Sequence, residues 1–237
     1  MSTVIHKAGT RGFFDHGWLK TSHTFSFGDY RDPGRMGFGL LRVLNDDIVE
    51  PSGGFGTHPH QDMEIVSIPL QGALQHEDSE GNSHTISAGD VQIMSAGRGI
   101  RHSEKNHSAA ERVNFLQIWV MPKEHGIDPR YGQKTFDAAL RRNRLQTVVS
   151  PDSGAGDTIW INQDAWFSLA DIDPGNSLVY QLRRPGNGVY LFVIEGRVQV
   201  AGTELQRRDG IGIEGEERCS IRALEGATVL AIDVPMR

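Results

Sequence analysis

The chain has 237 residues, carries a formal net charge of −6, and contains ten histidines but a single cysteine, Cys219. Such a length suits one large β domain or two of about half the size, each able to bury a core. The negative balance argues against general phosphate-backbone binding, and one cysteine excludes an internal disulfide. With no apolar signal core in the opening residues and no run long enough to span a membrane, the composition predicts a cytoplasmic protein without direct nucleic-acid or membrane contact.

Residues 4–50 carry Gly17-Trp18-Leu19 and Thr24-Phe25-Ser26-Phe27, with Phe25 and Phe27 on one strand face. Residues 38–44 read as a strand, and Asn45-Asp46-Asp47 as the turn that ends it. His16 and His23 are expected to be hydrogen-bonded structural groups. Thr57-His58-Pro59-His60 then sets two imidazoles on one face of an extended segment, about 6.7 Å apart. From residue 63 the pattern is one of short strands: 63–70, the Gln71-Gly72 turn, 73–77, a hairpin loop at 79–82, 83–86, the Ala88-Gly89-Asp90 turn, and 91–94. His76 and His84 flank the hairpin and are expected to be exposed or to stand behind the site. The Gly97-Arg98-Gly99 loop delivers Arg101-His102-Ser103-Glu104, and residues 113–121 close this half. His102 and Glu104 share a strand face, so two neighbouring strands can aim four ligand-type side chains at one ion. Imidazole plus carboxylate suits a divalent first-row transition metal.

Residues 122–157 read as a connector with Pro129-Arg130-Tyr131, one short helix at 135–142 and the loose Ser153-Gly154-Ala155-Gly156. Arg141, Arg142 and Arg144 read as a solvated helix end. The second half then repeats the β pattern, residues 188–196 resembling 63–72 and Asp209-Gly210 resembling Gly89-Asp90, a repeat of roughly 120 residues. Sliding on Gly72 and Gly196 puts the first two histidine positions at Leu182 and Arg184; sliding on Gly89 and Gly210 puts the third at Ala223. All ten histidines lie at or before His125. The expected organisation is therefore a metal-binding domain over 1–134 and a ligand-free domain over 135–237.

The frame from Gly53 to Asn106 resembles the paired motifs of the cupin superfamily: His58-x-His60, Glu64 and Gly72, then Gly89, Ser95-x-Gly97, His102 and Asn106. Ser95 stands where the second motif has Pro, and two extra residues separate Gly97 from His102. These departures, together with His16-Gly17-Trp18-Leu19, His23-Thr24-Phe25-Ser26-Phe27, Arg42-Val43-Leu44-Asn45-Asp46, Met63-Glu64 and Ile100-Arg101-His102-Ser103-Glu104, resemble the pirins over essentially the whole chain. The resemblance implies an all-β bicupin, two antiparallel β-barrels of jelly-roll type packed face to face, with one metal in the amino-terminal barrel. The pirin pattern implies His58, His60, His102 and Glu104 as ligands, whereas the generic cupin carboxylate would be Glu64. Strand parity permits both. The pirin pattern is followed, with Glu104 as ligand and base, Glu64 as a partner behind the ligands, and Asp62 as a weaker alternative.

Three neutral imidazoles and one carboxylate around a divalent ion leave a net charge of +1 and, for iron, open positions. The extra histidine, relative to a two-His-one-carboxylate site, leaves fewer positions for a separate co-substrate, so a substrate that supplies its own electrons fits. The resemblance implies quercetin 2,3-dioxygenase activity: a flavonol bound through its 3-hydroxyl gives that proton to Glu104 and reacts with O₂, releasing carbon monoxide. Fe(II) is the expected cofactor, with Zn, Mn, Co, Ni or Cu as alternatives. A second reading, of another class, is a metal-dependent module that binds a protein partner, like the transcriptional co-regulators among eukaryotic pirins. A third, a cupin isomerase or sugar epimerase, makes little use of the ligand set.

Overall fold

Regular structure begins at once in this chain, because the short apolar runs and the Gly- and Asp-marked turns between them leave no room for long helices. The computed structural model describes residues 2–152 and 156–237; residues 153–155 of the expected loose loop lie outside the described residues. In chain order the strands are β1 (Ser2–His6), β2 (Gly12–Asp15), β3 (Leu19–His23), β4 (Leu41–Val49), β5 (Gly54–His60) and β6 (Glu64–Gln71). There follow β7 (Ala73–Asp78), β8 (Ser83–Ser87), β9 (Asp90–Ser95), β10 (Ile100–Asn106), β11 (Val113–Val120) and β12 (Arg130–Thr135). The second half contributes β13 (Gln146–Ser150), β14 (Ile159–Trp160), β15 (Trp166–Ile172), β16 (Ser177–Gln181) and β17 (Asn187–Glu195). It closes with β18 (Arg197–Val200), β19 (Thr203–Gln206), β20 (Gly210–Glu214), β21 (Arg218–Ala223) and β22 (Ala227–Pro235). No helix among the described residues is long and apolar enough to cross a membrane.

Each half is a jelly roll in which a seven-stranded sheet faces a four-stranded one. The first half pairs the order β12-β9-β6-β11-β4-β3-β2 with β5-β10-β7-β8, and the second pairs β1-β20-β17-β22-β15-β13-β14 with β16-β21-β18-β19. The internal repeat is thus carried through strand by strand, β9, β6, β11 and β4 answering β20, β17, β22 and β15. The hydrogen-bonded ladders stop at the sheet edges, so each barrel is two facing sheets and not a closed cylinder.

The two large sheets lie back to back. Val66, Ile68, Ile93, Leu116 and Ile118 of the first meet Phe167, Leu169, Phe192, Leu230 and Ile232 of the second in one apolar cluster. Their strands are therefore buried on both faces, which is why β6 and β17 read as continuous apolar runs without alternation. The outer edges are exchanged: β1, from the start of the chain, pairs with β20 of the second half, while β12 from the connector pairs with β9 of the first. Strand β1 thus crosses the 134/135 division.

Two expectations give way. The helix at 135–142 is a single 3-10 turn, Ala138–Arg141, because residues 130–135 are drawn into β12; the Asp137 side chain accepts from Ala139 N. The turn expected at Asn45-Asp46-Asp47 is the middle of β4, which runs unbroken to Val49. Asn45 and Asp47 are buried in that strand, not solvated at a loop.

Candidate metal centre and cavity

Strands β5 and β10 lie side by side, with His58 opposite His102 and His60 opposite Ile100. Their approach depends on Gly54, where a Cβ would stand 2.5 Å from Lys105 Cα and 2.6 Å from the Glu104 carbonyl. Between His102 and Glu104 the register of β10 on β5 shifts, Glu104 facing Phe55. Such an irregularity re-aims one side chain relative to the next.

The ligand atoms of His58, His60 and His102 all lie within 4.8 Å of one another. Burial, then His58, pushes the His60 imidazole down to about 4. Burial, then the neighbouring rings of His58, His60 and His76, pushes His102 down to about 2. Both are neutral at pH 7, the form that ligates a metal.

The hydrogen bonds behind the rings fix their tautomers. Asp78 accepts from Glu80 N and Asn82 N at 3.0 Å each, so it acts as a carboxylate, and its Oδ2 lies 3.0 Å from His76 Nε2. His76 therefore donates from Nε2 and offers Nδ1 to His102 Nδ1, 3.5 Å away. That leaves the lone pair of His102 on Nε2, which is buried and has no partner. His58 donates from Nδ1 to the Gly56 carbonyl at 2.8 Å, which likewise frees its Nε2. This donor set fits a divalent transition metal.

Glu104 is brought to His102 but not into the three-histidine group; it forms a second group with His76 and His102. It is buried, which pushes its carboxyl up to about 7 against the hydrogen bonds of Ser67 and Gln117. Gln117 Nε2 donates to Oε2 at 2.6 Å, and Ser67 Oγ stands 3.2 Å from Oε1 and 3.0 Å from Gln117 Oε1. Ser67, Gln117 and Asp78 escaped the reading of the sequence, whereas His76 stands behind the site, one of the two places expected for it. The available signal for Ser67 and Gln117 was a polar residue inside each of two apolar runs.

Glu64 joins neither group. It stands on the face of β6 shared with Val66 and Ile68, toward the second half, where Oε2 accepts from Ser95 Oγ at 2.8 Å and Asn162 N at 3.0 Å. Asp62 is likewise occupied elsewhere, Oδ1 accepting from Gly126 N at 2.7 Å. Burial holds the Glu64 carboxyl up at about 7, against an ordinary value of 4.5. Between those values the folded chain binds the proton and the unfolded chain does not, so this group's contribution to stability falls as pH rises and stays low above 7. The gap is worth about 3 kcal/mol. Urea unfolding of metal-free Glu64→Gln is expected to show its stability relative to the parent rising by that order from pH 4 to pH 8; a flat difference would show that Glu64 ionises freely.

A cavity of about 320 Å³ opens beside the histidines, in the size range of small-molecule sites. Phe14, Phe27, Phe55 and Trp119 give it aromatic walls, and His58, His60 and Glu104 reach it. His16 and His23 also line it; the His23 ring makes a hydrogen bond with the Phe27 backbone, as expected of a structural group, while its Nδ1 is buried without a partner.

In the second half, register identifies the counterparts. Tyr180 faces Cys219 as His58 faces His102, and Ile221 faces Val200 as Glu104 faces His76. Tyr180 thus falls two residues before Leu182 and Cys219 four before Ala223, because the spans between the glycine anchors and these positions differ between the halves. Tyr180, Cys219 and Ile221 belong to an apolar cluster, and the Tyr180 hydroxyl donates to Asp233 at 3.0 Å.

The Pirin family model matches residues 4–120, and a model described as the quercetinase C-terminal cupin domain matches residues 147–234. A protein of Escherichia coli (strain K12) named quercetin 2,3-dioxygenase is 45% identical over 235 residues, 98% of each chain. A pirin-like protein of Caulobacter vibrioides is 43% identical over 222 residues, covering 94% of this chain and 95% of its own. The solved structure of the bacterial pirin YhhW from Escherichia coli in complex with nickel(II) superposes with a TM-score of 0.93 at 43% identity, over 99% of both chains.

Proposed function

Because this chain belongs to the pirin family, we propose that it is a metal-dependent dioxygenase that cleaves a flavonol such as quercetin with O₂ and releases carbon monoxide. One divalent transition metal per chain, Fe(II) in this reading, would be held by His58, His60, His102 and Glu104. The observation that carries the proposal is the buried, partnerless Nε2 of His102 among neutral imidazoles beside an aromatic cavity. Leaving such an atom unpaired costs about 1–3 kcal/mol, which a bound cation would recover.

When bound, the metal would supply Lewis acidity toward the flavonol oxygens and a place for O₂. The rest falls to the chain. Phe14, Phe27, Phe55 and Trp119 hold a flat ligand and displace water. Glu104, raised to about 7 by burial, is matched to accept the 3-hydroxyl proton near neutrality. Protonated on Oε1, it can donate to Ser67 Oγ, Ser67 can turn its own proton to Gln117 Oε1, and Gln117 Nε2 still donates to Oε2. The proton is thereby stored in a closed ring of hydrogen bonds.

The test combines metal analysis with an oxygen electrode and a flavonol panel. Close to one divalent metal per chain, with O₂ uptake and carbon monoxide release, is expected. Metal without turnover would move the reading to a metal-dependent protein-binding module. A stoichiometry near two, or none after reconstitution with iron, would remove the one-site reading.

A further inference from the structure

The cavity contains a second polar site that the metal chemistry does not use. Strands β3 and β4 face each other there with Thr21 opposite Asp47 and His23 opposite Asn45. All four side chains line the cavity and are at least nine-tenths buried. Asp47 Oδ1, His23 Nδ1 and Asn45 Oδ1 are buried polar atoms without a partner, and the Thr21 hydroxyl is shared with the Asp47 carboxyl. None belongs to either group of metal-competent atoms. Three such atoms close together are costly to leave in place for no ligand.

Register places this patch along the floor. On β11, Trp119 pairs with Val43, Gln117 with Asn45 and Phe115 with Asp47. The Trp119 ring lies 4.9 Å from His60, and Gln117 holds Glu104. The Asp47 row is therefore four residues, about 13 Å of strand, from the Trp119 row. A flat ligand reaching from the histidines along the aromatic walls would present its far end to Asp47. Charge narrows the choice further: Asp29, Asp47 and Glu104 line the cavity, with no lysine or arginine to meet an anionic group.

We propose that Asp47 and Asn45 are specificity-determining acceptors that read phenolic hydroxyls on the ring of the ligand farthest from the histidines, so that the site takes neutral, polyhydroxylated aromatics. The inference rests on the flavonol reading and adds which part of the ligand is recognised, and by which residues. His23 and Thr21 complete the patch, each able to donate or accept.

The experiment measures binding, not turnover, on zinc-loaded protein without oxygen, by titrating 3-hydroxyflavone and 3,3′,4′-trihydroxyflavone, which differ only in the two ring hydroxyls. The parent chain should bind the trihydroxy compound at least about 5-fold tighter, within the range for hydrogen bonds between neutral groups, since burial holds the Asp47 carboxyl up at about 7. Asp47→Leu should bring the two affinities together while leaving 3-hydroxyflavone binding in place, and Asp47→Asn, which keeps an acceptor, should retain part of the preference. Equal affinities in the parent overturn the proposal, whether or not a variant folds, and mean that ordered water alone occupies the patch; the flavonol reading would then still stand. If neither compound binds, the flavonol reading fails and 4-methylcatechol decides. Binding that Asp47→Leu weakens keeps the acceptor pair, and no such difference overturns it.

Discussion

His102→Ala is expected to abolish metal binding and turnover together. His102 is the one residue common to both groups of ligand atoms, so its loss leaves His58 and His60 without the third imidazole and Glu104 without its link to them. The effect should exceed the 10–100-fold that removing a group behind a metal ligand typically costs. His76 provides that comparison, because it touches His102 through Nδ1 and points its other nitrogen at Asp78. His76→Phe should keep the site and weaken it within that 10–100-fold range, since His102 would lose the acceptor that fixes its tautomer. Calorimetric titration with nickel(II) orders the two variants without requiring turnover. A His102→Ala chain that still binds one metal per chain with parental affinity would remove His102 from the ligand set.

The imidazole positions were legible because the strand period acts within each strand. His58 and His60 share a face whatever the rest of the chain does, and only the neighbourhood of β5 and β10 had to be supplied. The choice between Glu64 and Glu104 was not legible from parity. Residues 61–63 between β5 and β6 are not in a strand, and Asp62 has a φ of 46°, so a face count begun at His60 cannot be carried to Glu64. The Asn45-Asp46-Asp47 stretch misled for a different reason. Clustered polar residues signal a turn on the assumption that polar means solvated, and this strand turns Asn45 and Asp47 into a cavity and Asp46 against Arg208 on the opposite face. The exchanged edges were beyond reach as well: β1 finds its partner more than 200 residues later, and nothing local in the sequence encodes that pairing.

Glu104→Gln is expected to retain metal, more weakly, while flavonol turnover falls by at least about 10²-fold, the low end for losing a positioned general base. The fold should accept the change. The new amide can offer its carbonyl to Gln117 Nε2 and its NH₂ to Ser67 Oγ, with the Ser67 proton turned to Gln117 Oε1, so no hydrogen bond of the ring is lost. What is lost is the capacity to take a proton and the negative charge beside His102. Glu64→Gln is the matched control, equally conservative and equally buried, but on the face that meets the second half through Ser95 and Asn162. Its effect should appear in the pH dependence of stability, with turnover near the parental level once metal is saturating. Titrating metal into each variant before assay separates the roles, because saturation rescues a defect in affinity but not a missing base. Normal turnover by Glu104→Gln at saturating metal, with Glu64→Gln inactive, would mean that the generic cupin carboxylate ligates and that the pirin pattern assigns the wrong one.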